Sequence, residues 1–298
     1  MAPCKRRLNP SQRENAVPLW AKIAILVAAF LAVALWLAQL WQGRTRAALV
    51  DSVEASAEAG SSNAAAAQAM EELPAPVARY LNHVLPAERR HIRLARYEQV
   101  GMLRTDAQSG RWMNFTARQV IAPAISEFVW DARVSIMPLL HVRVRDSLVG
   151  GRGAGQVTLL SAIPVGSAGG SMEMNSGSLH RFLAEAVWYP TALLPSAHLR
   201  WDPIDEARAL ATLKQGNTSV SLEFRFNRNN EVTGIYTPGR WGSFDGGYKQ
   251  VAWEGRFQDY AMRDGVLVPT RGEVGWYVDG GWHAVWRGIV VQAALEFE

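Results

Sequence analysis

The sequence predicts a mainly β fold: a curled antiparallel sheet or incomplete barrel with one inserted helix, preceded by a single N-terminal transmembrane helix. Three observations lead there. From residue 92 onward the dominant period of apolar residues is two, the signature of half-buried strands. Those strands succeed one another without the long helical crossovers that parallel sheets need. Near the N-terminus one run, Ile23–Leu40, holds 18 residues without a charge. The expected organisation is a basic cytoplasmic tail over 1–22, a transmembrane helix over 23–42, an Ala/Ser-rich tether over 43–73, and an extracytoplasmic β-rich domain over 74–298.

The tail carries most of the charge imbalance. Of 31 basic and 27 acidic residues, five basic and one acidic lie in residues 1–22, so the rest of the chain holds equal numbers of each. The sequence pI of about 9.4 therefore does not describe the main body, and no nucleic-acid partner is expected of it. The apolar run that follows, extended by Pro18–Ala21 and Trp41, is long enough at about 1.5 Å per residue to cross a hydrocarbon core of roughly 30 Å. Trp20 and Trp41 stand at its ends, where amphipathic rings prefer the headgroup region. A cleaved signal peptide with Ala32-Val33-Ala34 at its site is the rival reading, but apolar residues continue past that point and the run exceeds an ordinary signal core of about 7–15 residues. Lys5, Arg6, Arg7 and Arg13 before the span, against Arg44 and Arg46 after it, place the N-terminus inside and the C-terminal domain outside. The single cysteine, Cys4, then lies in the reducing compartment and the exported part has none. The expectation is a single-pass protein of a bacterial inner membrane with a periplasmic domain.

Residues 44–73 are rich in Ala, Ser and Glu, bury little, and read as a tether that is partly helical at best. After Pro74 and Pro76, VARYLNHVLP predicts a short helix with Val77, Tyr80, Leu81 and Val84 on one face. RLARYEQVGMLR and RWMNFTARQVIA form a first strand pair around a turn at TDAQSG, and EFVWDARVSI and HVRVRDSLVG a second. A meander begins at Ala207, with QGN and NRNN as hairpin turns. Three long strands follow to the C-terminus, with Asp279-Gly280-Gly281 at the last turn. One helix interrupts the series: in SLHRFLAEAVWYP, Leu179, Phe182, Leu183, Ala186 and Val187 share a stripe, Asn175, Ser176 or Ser178 can cap its start, and Pro190 ends it. Trp188 lies nearly opposite Leu179, so the helix should be covered on two sides, as in a sheet curled around it.

Candidate chemistry is sparse. Asp131 could orient His141 for base catalysis, with Arg133, Arg143 and Arg145 stabilising an anion; the plainer reading is a solvated sheet face with charges paired across strands. Glu185 reads as the partner of Arg181 one helical turn away, or as a semi-buried acid if that helix face is covered. The six histidines show no metal-ligand spacing, and no metal or cofactor is expected. GGRGAGQV over 150–157 lacks a Walker lysine and reads as a flexible turn, and VGSAGGS over 165–171 lacks the spacing of a nucleophile elbow. Aromatic supply is the positive signal: Trp130, Phe182, Trp188, Trp253 and Trp276 could line an apolar ligand cavity, with core packing as the alternative. The segment TPGRWGSFDGG over 237–247 could be a lid, a membrane-touching loop or a long hairpin connection.

FVWDA (128–132), RYLNHVLP (79–86), FLAEAVWYPTALLP (182–195), WEGRFQDY (253–260) and PTRGEVGW (269–276) resemble the motifs of a bacterial family of membrane-anchored proteins defined by a domain of unknown function. The resemblance covers most of residues 75–298 and implies no catalytic residues. More distantly, the strand meander with its inserted helix resembles the periplasmic lipoprotein-carrier fold, an incomplete antiparallel barrel that holds acyl chains beneath helices. The expected function is a membrane-tethered module that binds a lipid or other apolar ligand without chemistry. The alternatives are an envelope hydrolase using Asp131 with His141, or Glu185, and a scaffold or sensor for membrane protein partners.

Overall fold

Alternation of apolar and polar side chains builds two successive antiparallel meanders. The structure, a computed structural model, describes residues 18–60, 73–107 and 110–298. The tail basic residues Lys5, Arg6, Arg7 and Arg13, Cys4, the centre of the expected tether and part of the TDAQSG turn lie outside the described residues. Helix α1 (Leu19–Ala59) and helix α2 (Ala75–Val84) come first. The first meander is β1 (Ile92–Leu103), β2 (Met113–Ala122), β3 (Glu127–Met137), β4 (Leu140–Val149), β5 (Arg152–Leu159) and β6 (Ile163–Gly169). Helix α3 (Met172–Glu185) leads to the second: β7 (Leu199–Asp205), β8 (Arg208–Gln215), β9 (Thr218–Phe226), β10 (Val232–Phe244), β11 (Gly247–Arg263), β12 (Val266–Val278) and β13 (Gly281–Phe297).

The strands join in one 13-stranded antiparallel sheet, in the order β6-β5-β4-β3-β2-β1-β13-β12-β11-β10-β9-β8-β7. First and last strands close the two meanders on each other, and β6 and β7 remain as edges. Helix α3 spans from one edge to the other and packs on β4 and β5 of one meander and on β8, β9 and β10 of the other. A sheet whose distant strands meet one helix is curled around it.

The inner face explains why the curl holds. Phe128, Trp130, Ala132 and Val134 of β3 and Val220, Leu222 and Phe224 of β9 are buried against the stripe Leu179, Phe182 and Leu183 of α3. Burial of one such large side chain contributes about 1.5–3 kcal/mol. Helix α3 starts a turn earlier than its sequence suggests: the Ser171 hydroxyl accepts from the Met174 amide at 3.2 Å. Asn175 is instead inside the helix and accepts from the Gly153 amide of β5 at 2.8 Å. Beyond Glu185 the chain tightens into 3-10 turns over Ala186–Trp188 and Pro190–Leu193. Trp188 is 2% exposed and donates from its indole to the Pro269 carbonyl at 3.0 Å, so the helix end is covered on a second side. Helix α2 buries Val77, Tyr80, Leu81 and Val84, as its pattern predicts.

Three segments differ from the sequence reading. The glycine-rich stretches 150–157 and 165–171 supply most of β5 and β6, with only Gly150–Gly151 as the turn between β4 and β5. Their glycines serve close approach: a Cβ on Gly153 would stand 2.4 Å from the Met174 carbonyl of α3. Residues 237–247 are mostly strand, the outer reach of the β10–β11 hairpin, which turns at Asp245–Gly246. The third difference concerns the expected tether. Helix α1 does not stop at the end of the apolar run but continues to Ala59, about 60 Å in all. Val53 (0% exposed) and Ala57 (5%) pack on Leu94, Ala122 and Val129, on the outer face of the first meander. Alanine, arginine and glutamate favour helix, and this docking supplies the tertiary contact that a composition reading lacks.

Candidate functional site

A chain of polar side chains runs through the apolar interior. The Trp130 indole donates to Gln99 Oε1 (2.9 Å), Gln99 Nε2 to Gln119 Oε1 (3.2 Å), and Gln119 Nε2 to Glu185 Oε2 (2.6 Å). Arg181 Nε donates to Glu185 Oε1 and its Nη1 to Asp146 Oδ2, both at 2.8 Å. The Arg181 guanidinium also lies 4.7 Å from the Trp130 ring centroid and 5.3 Å from that of Phe128. Strand alternation puts Gln99, Gln119 and Asp146 on the inner face among Tyr97, Phe115 and Leu148, and α3 brings Arg181 and Glu185 to meet them. Each member is partnered, so the network fixes how the helix sits in the sheet. Glu185 is thus both the i,i+4 partner of Arg181 and largely buried, with side chains 17% and 14% exposed for Arg181 and Glu185.

Next to this network the curl opens into a cleft of about 530 Å³ between α3, strands β4–β6 and the β10–β11 hairpin. Met174, Val157, Trp241, Tyr248 and Trp276 line it together with Arg181 and Arg240. Arg240 stacks over Trp253 and Trp276, 4.6 and 5.1 Å from their centroids, and donates to the Gly177 carbonyl of α3 at 3.0 Å. Burial, and then the neighbouring Arg181 charge, pull its pKa down to about 10. Gly242 lies flush against this wall, since a Cβ there would stand 2.8 Å from both the Phe244 and Trp276 rings. The cleft offers aromatic and aliphatic surface beside cationic groups, within the roughly 300–1,000 Å³ typical of ligand sites.

The aromatic candidates divide between core and cleft. Trp130, Phe182, Trp188 and Trp253 are at most 3% exposed and belong to the packed core. Trp276 reaches the cleft. Trp241, Met174, Arg181 and Arg240 went unselected as ligand residues in the sequence. The available signal was polar residues in the apolar phase of strands, at Gln99, Gln119 and Asp146, which announces an interior that is not purely greasy.

Asp131 and His141 share the outer face but do not meet. The register pairs Asp131 with Arg145 and Ser135 with His141, placing the two about 13 Å apart along the strands. Asp131 accepts from Arg143 Nε at 2.7 Å and from Arg46 Nη1 of α1 at 3.2 Å. His141 contacts Arg133 at 3.3 Å and the Ser161 hydroxyl at 2.9 Å. This face is solvated in part, as its alternation suggests, with Arg133 and Ser135 exposed and Asp131 paired across strands with Arg143; where α1 lies over it, Asp131 and Arg145 are each 7% exposed. Among the described residues no three His, Cys, Asp or Glu side chains converge in a metal-binding group.

Fold and cleft define a class: a curled antiparallel sheet wrapped on one helix, with an apolar, arginine-bearing cleft at its open side and a long apolar helix before it. The chain belongs to the family of unknown function DUF6544, whose sequence profile matches residues 63–288. It matches none of the curated proteins. Among solved structures it is similar to a LolA superfamily protein from Nitrosomonas europaea, at 10% identity and a TM-score of 0.37, covering 74% of this chain and 92% of that one. A domain from Vibrio parahaemolyticus assigned to outer-membrane lipoprotein sorting gives 8% identity and 0.37, covering 76% and 93%. A β-barrel-like DUF1849 protein from Brucella abortus gives 10% identity and 0.22, covering 70% and 99%.

Proposed function

We propose that this is a single-pass membrane protein whose β domain stands outside the cytoplasm and binds a lipid or another apolar ligand, without chemistry, in the cleft beside α3. The cleft carries the reading. It holds about 530 Å³ between two sheet halves that are not hydrogen-bonded to each other there, and Met174, Trp241 and Trp276 give it an apolar wall. An apolar chain laid against that wall removes both surfaces from water, at about 25 cal/mol per Å². The anchor supports the same reading, because α1 contains the one described helix long and apolar enough to cross a membrane, and its apolar window is 0% buried.

Native mass spectrometry of the full chain in mild detergent tests the proposal. Co-purifying lipid is expected on the wild type and should fall in Met174→Trp, which narrows the cleft. Trp241→Ala, which removes part of the wall, should weaken retention without unfolding the sheet. Wild-type protein that carries no lipid and takes up no fluorescent fatty-acid probe would overturn it.

A further inference from the structure

On the outer face of the first meander, where α1 leaves its apolar run, four arginines surround one carboxylate. Arg46 comes from α1, Arg133 from β3, and Arg143 and Arg145 from β4; with Gln42 and His141 they line a cavity of about 310 Å³. Asp131 receives Arg143 and Arg46. The remaining two arginines have neutral partners. Arg133 meets the His141 ring, and Arg145 donates to the Gln42 carbonyl and to Gln156 Oε1, both at 3.3 Å. The cluster therefore carries an excess of positive charge in a half-closed space. Arg145 reflects it: burial first lowers its pKa, Asp131 opposes, and Arg143 and Arg46 lower it further. His141 is likewise lowered by burial, then by Arg133 and Arg143.

Hydrogen bonding in the cluster is incomplete as well. Gln42 is 3% exposed, and among the described residues neither its Oε1 nor its Nε2 has a partner; Arg145 is 7% exposed, and its Nε has none there either. An unmet buried polar group costs about 1–3 kcal/mol. An anion with several acceptor oxygens would accept from Gln42 Nε2 and Arg145 Nε and balance the charge together, and arginine forks suit phosphate geometry.

The position narrows the source of that anion. Gln42 directly follows Trp41, which extends the apolar run, and Arg46 is about 6 Å further along the helix. Gln39 Nε2 donates to the Leu160 carbonyl at 2.9 Å, tying the end of the run to the β5–β6 turn. Around that end the strand tips expose apolar side chains: Leu139 (98%), Val165 (58%), Met137 (56%) and Ile163 (50%). With α1 across a bilayer, these tips touch its surface and the cavity sits at headgroup depth.

We propose that this cavity binds the phosphate group of an anionic phospholipid, with Arg46, Arg133, Arg143 and Arg145 as its cationic ligands. The site holds a headgroup at the foot of the domain, fixing the β domain's orientation on the membrane. It relies on α1 as a membrane span but is independent of the cleft beside α3, since the two lie on opposite faces of the sheet.

The test is calorimetric titration of detergent-solubilised full chain with three probes: dihexanoyl phosphatidylglycerol, dihexanoyl phosphatidylcholine and inorganic phosphate. Phosphatidylglycerol should bind most tightly, and Arg46→Gln and Arg133→Gln, at the two more exposed arginines, should each weaken it about tenfold. Gln42→Leu, which removes the orphaned amide and leaves the charges, should bind with less heat while the β domain melts no lower than the wild type. Equal binding of phosphatidylcholine, or binding unchanged by the arginine variants, would overturn the site. Inorganic phosphate binding as tightly as the anionic lipid would overturn the lipid as its source. Met174→Trp, in the cleft on the other face of the sheet, should leave the phosphatidylglycerol titration unchanged, which separates failure here from failure of the cleft.

Discussion

Arg181 Nε donates to Glu185 Oε1 at 2.8 Å inside the curl of the sheet, not on a solvated helix surface. An exposed i,i+4 pair is worth about 0.3–0.5 kcal/mol. This one is joined to Asp146 on one side and to Gln119, Gln99 and Trp130 on the other. Arg181→Met should therefore cost about 3–5 kcal/mol by leaving the Glu185 carboxylate without its cation in the interior. Arg181→Met with Glu185→Leu should cost less than the sum of the two single changes. Urea denaturation of the four proteins of that cycle checks this, and a loss below about 1 kcal/mol for Arg181→Met would return the pair to the surface class.

His180 should make stability depend on pH. Its Nδ1 donates to the Ser176 carbonyl at 3.0 Å, and the side chain is enclosed near Arg240. Burial, then the Arg240 charge, lower its pKa from 6.5 to about 4, against the opposing Ser176 hydrogen bond. Between those values the unfolded chain binds the proton and the folded chain does not. The contribution is thus fully present above pH 6.5 and is lost as pH falls toward 4, about 3 kcal/mol in total. The melting temperature of the wild type should therefore drop relative to that of His180→Gln, which has no titrating ring, as pH falls from 6.5 toward 4.

Gly101 permits the two meanders to close. It pairs with Gly288 where β1 meets β13, and a Cβ there would stand 2.0 Å from the Arg287 carbonyl and 2.9 Å from the Phe115 ring. Gly101→Ala should destabilise the domain by about 1–3 kcal/mol or more, because the obstacle is backbone. Thermal unfolding of the purified variant gives the value.

Val53 fastens the second half of α1 to the sheet. Placing a carboxylate there, in Val53→Asp, should release the helix from Leu94 and Val129 while the inner core stays folded. Hydrogen exchange should then rise through residues 43–59 and in the neighbouring part of β1, with little change in α3.

The proposed topology rests on the charges that flank the apolar run. A C-terminal alkaline phosphatase fusion should be active and a green fluorescent protein fusion, exported by the general secretory route, dark. The intact chain should be in the membrane fraction. A soluble form beginning near Leu35 would instead identify the apolar run as a signal peptide.

The elements legible from the sequence were those with an unbroken period. Val220, Leu222 and Phe224 announced β9, and Leu179, Phe182 and Leu183 announced α3, because local geometry alone sets periods of two and 3.6. Strands β5 and β6 were hidden because glycine reads as a breaker, whereas Gly153 is there so that the backbone can approach α3. The outer face of β3 and β4 read as solvated because no local pattern in it records that α1 lies above.

By itself, then, the sequence determined the antiparallel class, the inner helix, the apolar run and the family motifs, all carried by residues close together in the chain. Only the tertiary structure decided which polar residues meet. Arg46 reaches Asp131 across 85 positions and Gln119 reaches Glu185 across 66. Pairings at that separation depend on how the sheet curls and where two helices dock, which is a property of the whole packed core and not of any segment.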